Sequence, residues 1–265
     1  MPADTSNVLV LCYHAVSRSW PAILSVTPAQ LERQLELLIS RGYRGATFSE
    51  AVSGPSAKRT VAVTFDDGYS SVRELAFPIL SRLGLPGTVF VTTSFVGVDR
   101  PMAWPGIDQW LGGPHQSELA GMTWEDLSFL AGAGWEVGSH TRTHPRLTTL
   151  GDEALADELR GAREDCERRL DLACRSLAYP YGDADVRVIN AAREAGYAVG
   201  AGMRIPYRPD TRRWPRIGVY HGDTMARFRL KASPTLRRFR KSPLWTTLDS
   251  ARRRLTKNRP GGHPS

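Results

Sequence analysis

Three cysteines in 265 residues (Cys12, Cys166 and Cys174), with no CxxC pair, are too few for a disulfide framework. Cys12 lies in an apolar run and reads as a small core residue, and the other two read as reduced thiols. No run of eighteen or more apolar residues occurs, so no membrane-spanning helix is expected. Met1 to Asn7 lack a basic segment, and Val8 to Cys12 is too short for a secretory signal core. The expectation is a cytoplasmic protein, at most peripheral to a membrane. Internal repeats and low-complexity segments are also missing. With 41% hydrophobic and 23% charged residues, the composition excludes disordered, collagen-like and coiled-coil chains.

Positive charge is present but unevenly placed. The chain carries 35 Lys+Arg against 27 Asp+Glu, a formal +8. Met225 to Ser265 hold twelve basic residues and one acid, Asp249, so this segment alone is +11 and the remainder −3. The pI of 9.7 therefore describes a tail, and specific nucleic-acid binding is not expected. Leu236, Phe239, Trp245, Leu248 and Leu255 recur among the arginines at roughly helical spacing. Such a basic amphipathic segment could contact an anionic membrane surface or partner, or pack on the body. The expected division is accordingly a body over 7–224 and a basic segment over 225–265, with the last residues expected to be disordered.

Within the body, short apolar runs alternate with helical patterns, the signature of βα repeats around a parallel sheet. Strands are expected at Val8–Cys12, Val61–Phe65, Thr88–Val91, Trp135–Ser139, Ser176–Ala178, Tyr197–Val199 and Ile217–Tyr220, about seven in all. Helices are expected from Pro28 to Gly42, Ser70 to Leu83, Thr123 to Ala131, Asp152 to Leu170 and Asp185 to Glu194. Gly97 to Gly121 reads as a long loop whose Trp104 and Trp110 either stack on a sugar or pin the loop to the core. A barrel and an open doubly wound sheet both fit. Either one collects functional residues past the C-terminal strand ends.

Polar clusters stand at those ends. Asp66-Asp67-Gly68 follows one strand, and two adjacent carboxylates repel unless a cation or proton is shared between them. Ser139-His140-Thr141-Arg142-Thr143-His144 follows another, with two histidines four apart that can converge on one side of a turn. Tyr179-Pro180-Tyr181-Gly182 follows a third. Two histidines and one aspartate give a three-ligand metal site with room for water, and leave the second aspartate free to act as a base.

Thr64-Phe65-Asp66-Asp67-Gly68, Ser139 to His144 and Tyr179-Pro180-Tyr181-Gly182 resemble, in order and spacing, the first three motifs of the polysaccharide deacetylase family (carbohydrate esterase family four). Leu11-Cys12-Tyr13-His14 is also similar to members of it, and the likeness spans roughly Val8 to Lys231. The resemblance implies a distorted (β/α) barrel that removes acetyl groups from N-acetylated sugars. It implies Asp66 as general base, Asp67, His140 and His144 as ligands of a divalent metal, usually zinc, and the Tyr181 backbone N–H as oxyanion donor with its ring walling the sugar pocket. The family's third motif often begins with an arginine that orients the base. Ala178 stands there in this chain, so Arg216 is the candidate replacement. Val219-Tyr220-His221 loosely resembles the family's late Leu-x-His pattern, making His221 the candidate general acid, with His14 expected to line the pocket. The motifs do not separate a sugar N-acetyl group from a non-sugar amide or an O-acetyl ester. A barrel that binds carbohydrate or membrane without catalysis would have lost Asp66 or a ligand, and all four residues are present.

Overall fold

A computed structural model describes residues 7–54, 58–203 and 210–235. In chain order its elements are β1 (Val8–Tyr13), β2 (Ala15–Val16), β3 (Ser25–Val26), α1 (Pro28–Ser40), β4 (Arg44–Gly45), α2 (Phe48–Ser53), β5 (Thr60–Phe65), α3 (Phe77–Arg82), β6 (Gly87–Val91), α4 (Trp124–Gly132), β7 (Glu136–Ser139), α5 (Asp152–Ala156), α6 (Ala162–Leu170), β8 (Ser176–Ala178), α7 (Val186–Glu194), β9 (Val199–Gly202), β10 (Trp214–Pro215), β11 (Ile217–Gly218) and α8 (Met225–Ala232). The main sheet runs β10-β9-β8-β7-β6-β5-β1-β11, with β4 beside β5, and β2 pairs β3 separately. Every one of these ladders is parallel.

The two ends of that path belong to one stretch of chain. β10 pairs with β9 and β11 with β1, and only Arg216 lies between them. Its N–H donates to the Gly202 carbonyl at 2.9 Å. The final strand thus splits across the seam of a nearly closed barrel, in which eight ladder segments amount to seven strands. It begins earlier than the sequence pattern suggests, at Trp214, and ends at Gly218 rather than Tyr220. Likewise β9 starts two residues later than expected, at Val199.

Alternation along the strands makes two cores. Leu9, Leu11, Tyr13, Val61, Val63 and Phe65 join the large core that includes residues of α1, α4 and α7. Val8, Val10, Ala62, Phe90, Ala178, Val199, Ala201 and Trp214 form a smaller one, which Phe48, Ala51 and Val52 of α2 complete. Even-numbered positions of β1 and β5 share the smaller core, so Cys12, Thr64 and Asp66 continue the same face toward the C-terminal rim. Register aligns that rim: Tyr13 stands opposite Phe65, Val91 opposite Ser139, and Ser139 opposite Leu177.

Two of the expected helices are interrupted. Val72–Ala76 is a π-helical turn before α3, and Asp157–Gly161 is another between α5 and α6. Hydrophobic spacing reports which face is buried; it does not report one added residue in a turn. The long loop contains 3-10 turns at Asp108–Trp110 and Gln116–Leu119.

Helix α8 opens the basic segment. Thr224 caps it by accepting the Arg227 N–H, and Phe228 is fully buried in the large core. Phe228→Ala is expected to cost about 3–5 kcal/mol in denaturant unfolding, the range for a buried phenylalanine. A cost below about 1 kcal/mol would show that α8 is not part of the folded body. The rest of the basic segment, 236–265, with its expected membrane or anionic contact, lies outside the described residues. Among the described residues no helix is long and apolar enough to cross a membrane.

Candidate metal centre and catalytic pair

Asp66 and Asp67 stand at the end of β5, where the backbone turns over, and both carboxylates approach His140 Nε2, at 4.0 Å and 3.4 Å. Asp67 (φ 73°) and Gly68 (φ 88°) are both left-handed. A Cβ at residue 68 would also meet Val91 at 3.1 Å, so the turn favours glycine twice over.

Asp66 keeps the interior alternation and meets Arg216 at the barrel seam. The two side chains form a bidentate pair, Nη1 to Oδ1 at 2.6 Å and Nη2 to Oδ2 at 2.7 Å, both buried. Nη1 also donates to Thr64 Oγ1 (3.1 Å), and the Cys12 thiol donates to Asp66 Oδ2 (3.4 Å). Burial alone would raise the Asp66 carboxyl; the Arg216 and His140 charges outweigh it and hold the group well below the usual carboxylate range.

Asp67 faces the histidine loop. Its Oδ1 lies 3.4 Å from His140 Nε2 and 3.5 Å from His144 Nε2, and it has no hydrogen-bond partner although buried. The three ligand atoms lie within 4.8 Å of one another. Atoms held about 2.0–2.1 Å from one tetrahedral ion lie about 3.3–3.4 Å apart. The buried orphan oxygen and this spacing fit a divalent metal. His140 Nδ1 donates to the Ala178 carbonyl (2.8 Å), which leaves the Nε2 lone pair facing Asp67. Burial lowers the His140 imidazole, but Asp66 and Asp67 more than reverse this and raise it above its ordinary value. Burial pushes His144 down to about 3, so this ring is neutral near pH 7.

The loop carrying both histidines is unusual backbone: Thr141 (φ 69°) and His144 (φ 63°) are left-handed without being glycine. Glu158, in the π-helical turn, holds it. Its carboxylate accepts the N–H groups of Arg142 (2.8 Å) and Thr143 (3.0 Å) and the Thr143 hydroxyl (2.5 Å). Trp104 stacks on the His144 ring, with centroids 4.4 Å apart. Trp104 is buried, so it pins the long loop to the metal site and offers no face to a sugar. Trp110 likewise packs on Trp20. Neither Glu158 nor the ring stack was visible as a motif. The only sequence hint for Glu158 was an acid on the buried face of an amphipathic helix.

Glu158→Gln keeps the shape and one acceptor but weakens the clamp. Loss of such an outer partner is expected to weaken metal affinity about 10–100-fold, read by competition with a chelating dye. Unchanged affinity would refute the clamp.

Tyr181 follows β8 in a left-handed conformation (φ 58°); the residue is 38% exposed and its ring centroid lies 4.7 Å from that of His144. His14 Nδ1 is buried without a partner, and His14 groups with Cys12 and Asp66 within 4.8 Å. His221 is exposed; its backbone N–H donates to Ile23 and its Nδ1 meets Ser25 Oγ at 3.4 Å. The polar contacts of His221 are thus with the β2–β3 region, while His14 stands at the carboxylate.

A nearly closed parallel β/α barrel, with an Asp–His–His cluster and an arginine-held aspartate at its C-terminal rim, has the architecture of a metal-dependent hydrolase. The polysaccharide deacetylase family model matches residues 53–200, and the chain belongs to that family. It is 26% identical over 197 residues to YxkH of Bacillus subtilis (strain 168), covering 72% of this chain and 62% of that protein. It is 24% identical over 188 residues to the poly-beta-1,6-N-acetyl-D-glucosamine N-deacetylase of Staphylococcus aureus (strain N315), covering 66% and 60%. The structure of IcaB from Ammonifex degensii superposes with a TM-score of 0.70 at 25% identity, covering 89% of this chain and 97% of that one. The chain spans about three-fifths of the length of these curated relatives.

Proposed function

We propose that this chain is a metal-dependent hydrolase that removes N-acetyl groups from an N-acetylated saccharide. The observation that carries the reading is the adjacency of two differently prepared carboxylates: Asp66 ion-paired to Arg216, and Asp67 aimed with two histidines at a common point. Asp67, His140 and His144 would hold the metal, for which zinc suits one carboxylate and two imidazoles. Bound there, it would supply Lewis acidity toward the acetamide carbonyl and acidify a water.

The chain's own residues divide the remaining work. Asp66 accepts the proton of the attacking water, and Arg216 keeps that carboxylate ionised and fixes its plane. The Tyr181 N–H donates to the oxygen that becomes negative as the carbonyl is attacked. The leaving amine must be protonated. A His14 ring nitrogen within 4.8 Å of an Asp66 carboxylate oxygen, together with a buried and unpartnered Nδ1, supports His14 for this role over the exposed His221.

Acetate release from N-acetylglucosamine oligomers by zinc-supplied protein tests the reading. Release is expected in the wild type, falling on the order of 10²-fold or more in His14→Ala and little in His221→Ala. Hydrolysis of an O-acetyl ester with no release from any N-acetyl sugar would overturn it in favour of an esterase.

A further inference from the structure

One feature of the mouth takes no part in the hydrolytic steps. Arg146 follows the histidine loop, and its guanidinium carbon lies 4.3 Å from the centroid of the Tyr181 ring. The same ring packs on His144 with centroids 4.7 Å apart, so the guanidinium and a candidate metal ligand share one aromatic neighbour. Arg146 is exposed and, among the described residues, forms no ion pair. Neighbouring arginines are engaged. Arg142 pairs with Asp157, Arg187 with Asp152 and the Leu150 carbonyl, and Arg100 donates to the Ser94 carbonyl. Asp108, the acid whose charge reaches Tyr181, accepts from the Gly106 N–H in its own turn (3.3 Å).

The side chain is also pre-placed. The Arg146 carbonyl accepts both the N–H (3.0 Å) and the hydroxyl (2.7 Å) of Thr149, which fixes the backbone from which the side chain departs. The guanidinium lies over the Tyr181 ring at cation–π distance, and among the described residues its N–H donors meet no hydrogen-bond acceptor; that fork matches the two oxygens of a phosphate or carboxylate. An exposed salt bridge would cancel this charge, and none does so.

We propose that Arg146, lying over the Tyr181 ring, is an anion subsite that selects saccharides carrying a phosphate or carboxylate near the reacting acetamide. The inference rests on reading the site as an N-deacetylase and narrows its substrate class to anionic N-acetyl sugars.

Equilibrium binding to the zinc-supplied full chain at low salt tests it, with N-acetylglucosamine 1-phosphate, N-acetylmuramic acid and neutral N-acetylglucosamine as probes. At least one charged sugar is expected to bind about 10-fold or more tightly than the neutral one, and which of them does so separates phosphate from carboxylate. The preference should shrink as salt is raised. It should vanish in R146Q and survive in part in R146K, which keeps the charge without the fork. Equal binding of charged and neutral sugars by the wild type, or a preference that persists in R146Q, overturns the subsite. Acetate release from neutral sugar is measured on the same sample. Release without charge preference defeats the subsite alone, whereas no release and no binding of any probe defeats the deacetylase reading and the subsite with it.

Discussion

Asp66→Asn is expected to lower acetate release on the order of 10²–10⁴-fold while leaving the metal in place, because it removes the proton acceptor and touches no ligand. It is also expected to destabilise the fold. Arg216 is buried at the seam of the barrel, and without the carboxylate its charge is left uncompensated. Breaking a buried pair from one side typically costs about 3–5 kcal/mol, so Arg216→Met should cost a similar amount by stranding the Asp66 charge. The Asp66→Asn, Arg216→Met double variant should recover much of the stability of either single variant and none of the activity. Additive losses of stability in the double variant would show that the two groups are not coupled as the geometry requires.

The pair also sets a sign for acid stability. Its charge partners depress the Asp66 carboxyl in the fold despite burial, so the group contributes stability above the ordinary carboxylate pKa. That contribution is lost only as pH falls through the depressed value. In Arg216→Met the largest lowering charge and its hydrogen bonds are lost, so the Asp66 carboxyl titrates higher than in the wild type and loss of stability should begin at higher pH. Thermal melts between pH 3 and 7 read the difference.

The second large effect concerns the ligands. On the proposed reading, zinc would bind the folded arrangement of Asp67, His140 and His144, which the unfolded chain does not offer. At about 100 times its dissociation constant it should add about 2.7 kcal/mol of stability, a rise of several degrees in melting temperature. His140→Ala should abolish that rise together with acetate release. Protons compete for the same site. Because the two aspartates raise the His140 imidazole above its ordinary value, its Nε2 holds a proton to higher pH than a free histidine does. Zinc affinity is therefore expected to weaken as pH falls below that raised value, up to tenfold per unit for one displaced proton. Affinity that stays flat from pH 8 to 6 would exclude His140 as the competing ligand.

The residues at the centre of the site were legible because their chemistry is local. Asp66-Asp67-Gly68 and His140 to His144 are continuous in sequence and stand where parallel strands end, so a strand pattern and two adjacent acids already marked the place. Arg216 could be named only by asking what replaces an arginine absent at Ala178. Its position at the seam depends on one strand dividing its pairing between β9 and β1, which spacing along the chain does not encode. Glu158 and Trp104 escaped notice for a related reason. Each acts across a turn or a loop on backbone or rings that are distant in sequence, so neither carries a signature of its own. The histidine after the last strand was marked by pattern alone. Val219-Tyr220-His221 has a suggestive pattern, yet β11 ends at Gly218 and the chain turns His221 toward Ser25.

The most direct test of the central claim is the metal content of the purified protein after exposure to zinc, beside that of an Asp67→Ala, His140→Ala double variant. About one zinc per wild-type chain, absent from the variant, is the result expected from three ligand atoms converging at the barrel rim. A correctly folded wild-type protein that takes up no zinc, or a variant that binds as much as the wild type, would contradict it.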